Sequence, residues 1–301
     1  MRMDFSRAPL IFLTKFDITE AVVRKYFPDL KKDEELSRLS IDQAADKCAF
    51  PNQKKEEALE ALRAANEEFN RISDEEDREF GPGADELTGQ SYWGSPENKE
   101  ICVSYLEQKY AGRKGEIIFY GPSNITLWFS LERDMEPWKA QNHGMGGCTD
   151  EDMIHYADRL LYPFEPKAVF FQTGSNDLAM GFTLDQVLAN KQKMYTEFLE
   201  KMPQAHLIVM SGLPLPGRME FWEATEKTNY HLEKMCGQYD RMHFMNASDV
   251  MMSETGEERF RYKDGKYFRP ELYREDRIHL NVKGHEVWTA LQKKMLKDLG
   301  I

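Results

Sequence analysis

Cysteine is scarce in this 301-residue chain: there are four, at Cys48, Cys102, Cys148 and Cys236, with no paired metal-type spacing. That pattern excludes a disulfide-stapled scaffold and fits free thiols in a reducing cytoplasm. Long apolar runs are lacking as well. Pro9–Leu13 is too short for a signal-peptide core, and no later run approaches the roughly 20 residues that cross a bilayer. Positive charge is in deficit, with 40 basic against 52 acidic residues and a net charge of −12. Nucleic acid is therefore a poor partner, and insertion into or attraction to anionic membranes is disfavoured. No repeat or low-complexity tract is present. Asn124–Thr126 and Asn246–Ser248 match the glycosylation pattern, but both adjoin apolar strands and read as chance. The expectation is a cytoplasmic protein.

What is there divides in two. Residues 1–115 read as a mainly helical extension. Asp17 is expected to cap a helix through Phe27, and Ser40 one through Cys48. From Lys54 to Glu79, Leu59, Leu62, Ala65, Phe69 and Ile72 recur at helical spacing among charges. Gly81-Pro82-Gly83 ends that helix. Residues 84–96, with Tyr92 and Trp93, read as an irregular connector whose aromatics pin it to the core, and Pro96 opens a helix through Tyr110. The extension is expected to cap a site or to serve as a homo-oligomer contact.

From Glu116 to Ile301 the pattern alternates. Apolar, β-prone runs at Ile117–Tyr120, Lys139–Asn142, Ala168–Thr173, His206–Ser211 and His243–Ala247 are separated by helical stretches at Asn124–Met135, Thr149–Tyr162, Thr183–Met202 and Arg218–Cys236. A last helix covers Val282–Leu299. Five such strands predict an α/β fold, a flavodoxin-like doubly wound parallel sheet. In such sheets ligands bind beyond the carboxyl ends of the strands.

Polar residues collect at those ends. After the first strand, Gly121-Pro122 forces a turn and Ser123 opens a helix. There Ser123 is either a simple N-cap or a hydroxyl raised out of the sheet, with its N–H free for an oxyanion. After the second strand, the glycine-rich stretch Asn142–Thr149 is either a tight turn or an anion-binding backbone. After the third comes Asn176, after the fourth the rigid Gly212–Arg218 loop. Asp-x-x-His occurs three times, and only Asp276/His279 falls on a loop after a strand's carboxyl end. An aspartate so placed holds the imidazole Nδ1–H and leaves Nε2 facing a serine. Asp152/His155 lies within a helix, and Asp240/His243 at the opposite end of the sheet.

Taken in order, Gly-Pro-Ser123, Gly-Gly147, Gly-Ser-Asn176-Asp and Asp276-x-x-His279 resemble the four blocks of the SGNH (GDSL-type) serine hydrolase family. The resemblance covers residues 116–301. It departs from the family at Pro122, where the usual motif carries aspartate. The resemblance implies Ser123 as nucleophile, His279 as general base and then acid, and Asp276 as its orienter. The oxyanion hole would be the N–H groups of Ser123 and Gly147 with the Asn176 amide. No metal or organic cofactor is implied. The expected substrate is a small-molecule carboxylic ester, with a short acyl group such as acetyl on a carbohydrate or small metabolite. The alternatives are a lipid-directed esterase or lysophospholipase, and a binding protein whose site has decayed. Trp128, His143, Leu213 and Pro214 are candidate substrate contacts; His143 also has a purely structural reading.

Overall fold

The computed structural model describes residues 4–30, 34–81, 96–172 and 174–301. The connector at 84–95, with Tyr92 and Trp93, and Thr173 lie outside the described residues. Contacts divide the chain into two units: 1–79 with Arg274–Arg277, and 80–273 with 278–301. The sequence pattern places a boundary near 115. The contact boundary falls earlier because the helix Pro96–Lys109 packs in the second unit, where Val103 and Leu106 enter the sheet's core and Arg159 pairs with Glu107.

In the first unit the main helices are α1 (Asp17–Tyr26), α2 (Ile41–Lys47) and α3 (Asn52–Glu79). Phe16 rather than Asp17 occupies the N-cap of α1, and Asp17 sits in its first turn, where its charge suits the helix dipole. Ser40 and Gln43 form a reciprocal capping box at α2. The apolar stripe of α3 is covered: Phe69 meets Phe5 and Phe16 edge-on at ring distances of 5.1 and 5.2 Å.

The end of α3 also holds the distant segment Arg274–Arg277. Asp77 forms a fully buried ion pair with Arg274, Glu76 Oε1 accepts from Glu275 N–H at 2.8 Å, and Asp17 pairs with Arg277. Burial pushes the Glu76 carboxyl up to about 7.

The second unit opens with α4 (Pro96–Lys109) and is built on five parallel strands, β1 (Ile117–Gly121), β2 (Ala140–Gly144), β3 (Ala168–Phe171), β4 (His206–Met210) and β5 (Met242–Met245). Their order, β2-β1-β3-β4-β5, is the doubly wound order expected from the alternation. Side chains alternate across it. Ile118, Tyr120, Val169, Phe171, Leu207 and Val209 pack on one face, against α4, α5 (Asp150–Leu160) and α6 (Leu184–Lys201). Ile117, Phe119, Phe170, Ile208 and Met210 pack on the other, with Trp128 and with Trp288 of α8 (Val282–Asp298). Both faces are dry, which is why the strands read as continuous apolar runs.

The helix α7 (Trp222–Cys236) follows a 3-10 stretch at Pro216–Phe221. Capping boxes at Thr149 and Thr183 start α5 and α6. Among the described residues, no helix is long and apolar enough to cross a membrane.

The helix expected over Asn124–Met135 is instead two separate turns, Ser123–Thr126 and Leu131–Asp134. Asn142 explains the break. Its Nδ2 donates to Ile125 O at 2.7 Å and Trp128 O at 3.2 Å, carbonyls that a continuous helix would have used for itself.

Candidate active site

Strand β1 delivers its last residue, Gly121, to a sharp exit at Pro122, and Ser123 begins the helical turn. Being first in that turn, Ser123 has an N–H with no intrahelical partner. The turn lies hard against β2: a Cβ at Gly144 would stand 2.2 Å from Thr126 N. Only glycine allows that approach.

His279 reaches the serine from 156 residues away, its Nε2 standing 2.7 Å from Ser123 Oγ. Both residues are buried. Asn124 fixes the histidine's backbone from both sides, since its Nδ2 donates to Ile278 O at 3.3 Å and its Oδ1 accepts from Leu280 N–H at 2.8 Å. Asp276 is buried, three residues before His279, on the segment that clusters with the helical unit.

The turn after β2 closes with Cys148 N–H donating to Met145 O at 3.2 Å, and Gly147 takes φ +71° within it. Asn176 stands in the turn after β3. One of its amide hydrogens goes to Cys148 O at 2.9 Å, which joins the two turns; among the described residues the other hydrogen has no partner. Its Oδ1 accepts from Arg218 at 3.1 Å, and the same guanidinium nitrogen donates to Ser175 O at 3.0 Å.

A pocket opens beside Ser123 and Asn176, walled by Leu213, Leu215, Phe221 and Trp222. It is narrow, with about 30 Å³ of room for the centre of a water molecule. That is space for roughly two or three waters.

Of the four candidate substrate contacts, Leu213 lines this pocket. Pro214 does not; its carbonyl accepts from Tyr273 Oη at 2.9 Å. Trp128 is a core residue, fully buried, with Nε1 donating to Asp134 Oδ2 at 2.8 Å and its ring stacked on His285 at 4.8 Å. His143 is interior too. Its Nδ1 lies 2.6 Å from Leu160 O, its Nε2 2.9 Å from Gln141 Oε1, and Tyr110 stacks on it. Burial holds its pKa down at about 3, so it is neutral at physiological pH. These residues are close to the site along the chain but point away from it.

The other Asp-x-x-His pairs are structural. Asp152 accepts from the N–H of Thr149 and pairs with Lys99, while His243 meets His206 at 2.9 Å. Among the described residues no cluster of His, Cys, Asp or Glu is arranged to hold a metal ion.

Comparison with known proteins agrees with this architecture. A protein from Streptococcus pneumonia, described as a proposed platelet activating factor, superposes with a TM-score of 0.56 at 18% identity, covering 66% of this chain and 92% of its own. A proposed acylhydrolase from Bacteroides fragilis superposes with a TM-score of 0.55 at 17% identity, covering 65% and 95%. At such identities the likeness is one of fold. None of the curated proteins matches the chain. The family model of the GDSL-like lipases and acylhydrolases matches residues 123–287, more than half of the sequence, from the serine to the last helix. The chain belongs to the GDSL-like lipase/acylhydrolase family and is an ester hydrolase.

Proposed function

We propose that this protein cleaves carboxylic esters through an acyl-serine intermediate, with Ser123 as nucleophile, His279 as base and Asp276 as its orienter. The observation that carries the reading is the 2.7 Å contact between His279 Nε2 and Ser123 Oγ, the serine lining the pocket. His279 takes the hydroxyl proton as Ser123 Oγ bonds to the ester carbonyl carbon, and the carbonyl π electrons move onto oxygen. The Ser123 and Gly147 N–H groups and the second amide hydrogen of Asn176 receive that oxyanion. Collapse breaks the bond to the alcohol oxygen, which leaves with the proton from His279. Water, deprotonated by the same imidazole, then releases the acid and restores the serine.

The role given to Asp276, three residues before the histidine, is to accept from Nδ1–H and so favour the tautomer with a free Nε2. Pro122 stands where the family commonly has aspartate. With φ −79° it fixes the exit from β1, and its carbonyl accepts from Ile125 N–H at 2.9 Å, closing the turn that presents the serine.

The narrow apolar pocket supports a small-molecule ester with a short acyl group, such as acetyl on a carbohydrate or small metabolite, over a long lipid chain. A p-nitrophenyl ester series tests this. Rates per enzyme should fall steeply from acetate to butyrate to octanoate. A rate that rises with chain length contradicts the short-acyl reading.

A further inference from the structure

Behind the two turns that would receive the oxyanion lies a buried group of charges with no place in that mechanism. Asp150 begins α5, Asp177 follows Asn176, and Lys191 projects from α6; all three are at most 1% exposed. Lys191 Nζ lies 3.2 Å from Asp150 Oδ1, and Asp177 Oδ1 accepts from Asp150 N–H at 3.0 Å. Among the described residues, the second oxygens of both carboxylates find no hydrogen-bond partner. The lysine head also bears on the turn after β3: a Cβ at Gly174, which has φ +101°, would lie 3.3 Å from Nζ.

Burying one cation with two carboxylates is costly, which raises the question of a use. Its location supplies one. The Asp177–Asp150 bond and the Asn176–Cys148 bond are two rungs joining the turn after β2 to the turn after β3. Arg218 grips the same turn from the pocket side. Gly147 and Asn176, the two oxyanion donors outside the serine itself, ride on these joined turns.

We propose that Lys191, with Asp150 and Asp177, is a positioning device that holds the Gly147 and Asn176 donors at their working separation by balancing charge behind them. This rests on the serine-hydrolase reading above. Lys191 touches no substrate; it acts through Asp150 and the rungs. Without its ammonium the two carboxylates repel and push the turns apart. The groups facing Asp177 are Asp150, Lys191 and, on the neighbouring turn, Cys148, while Tyr195 faces the Lys191 ammonium. Burial, reinforced by the charge of Asp150, pushes the Asp177 carboxyl up to about 6. Repulsion in a chain lacking Lys191 should therefore fade as acid protonates one carboxylate.

The test is p-nitrophenyl acetate hydrolysis by the full chain at pH 5.5 to 8, comparing Lys191→Met, the charge-balanced pair Lys191→Met/Asp150→Asn, and Ser123→Ala with wild type. For Lys191→Met the expected result is a kcat lower by about 30-fold at pH 8 and by under about 5-fold at pH 5.5, with KM within about twofold. The balanced pair should lose only about 3- to 10-fold, by the same ratio at every pH. Where Lys191→Met alone does not fold, the balanced pair carries the test. Wild-type kcat in the pair, or a loss in Lys191→Met that is the same at every pH and equal to that of the pair, overturns the proposal. Hydrolysis that survives in Ser123→Ala overturns the serine-hydrolase reading, and this proposal with it. Hydrolysis that needs Ser123 but ignores Lys191 overturns this proposal alone.

Discussion

Asn124 brackets His279: its two side-chain polar atoms bond the backbone of the residues on either side, Ile278 O and Leu280 N. The residue next to the nucleophile thus fixes where the imidazole stands. Asn124→Ala should leave Leu280 N–H without its acceptor, a loss of roughly 1–3 kcal/mol. It should lower kcat by about 10- to 100-fold, with KM changed much less, because the imidazole loses its register against Ser123. Steady-state kinetics with an activated acetate ester checks the split.

Gly144 bears on the same geometry from below. In Gly144→Ala the new methyl group would meet Thr126 N. The turn must move, at about 1–3 kcal/mol of stability, as overpacked positions typically cost. Activity should fall by more than the stability loss alone explains, since the displaced turn carries the serine. Parallel urea unfolding and kinetic assays test this.

Asn176→Ala removes a proposed oxyanion donor and one of the rungs between the turns. It should cost about 10²–10³ in kcat. An unchanged kcat would remove Asn176 from the oxyanion hole.

In the helical unit, Asp77→Ala breaks the buried ion pair with Arg274 and should destabilise the protein by about 3–5 kcal/mol. Replacing both partners by apolar residues, Asp77→Leu with Arg274→Met, should recover most of that loss. Urea unfolding of the two variants decides.

His143 governs part of the acid response. Its folded pKa of about 3 lies below the unfolded value of about 6.5, so the unfolded chain takes up the proton first. The stability it contributes is complete above pH 6.5 and is lost as pH falls from there toward 3. The loss is about 1.4 kcal/mol per pH unit, or about 2 kcal/mol at pH 5. His143→Gln should flatten that acid limb by this amount when unfolding free energies at pH 7 and pH 5 are compared.

Much of this was legible in the chain. The strands announced themselves because both sheet faces are buried, and the alternation with helices set the sheet's order. Ser123 and His279 stand out in the sequence because their surroundings, a glycine-proline exit and an Asp-x-x-His turn, are local, and the structure sets the two 2.7 Å apart. What was illegible depended on direction or distance. Trp128 and His143 lie near the site in the chain, but the turn at Ser123–Thr126 and the pleat of β2 aim them into the core. Asn124 meets Ile278 and Leu280 across some 156 residues, a pairing no local pattern encodes. The broken helix after Ser123 has a cause, Asn142, that sits on another strand. The Arg218 contact with Asn176 likewise joins two loops 42 residues apart.

The central claim is that Ser123 is the group acylated in turnover. The most direct measurement is a fluorophosphonate reaction with wild type and Ser123→Ala, followed by peptide mass spectrometry, alongside p-nitrophenyl acetate hydrolysis by both proteins. The account predicts a single phosphonylated residue, Ser123, stoichiometric loss of activity in wild type, and neither label nor hydrolysis above background in the variant. Labelling elsewhere, or hydrolysis that persists in Ser123→Ala, would contradict it.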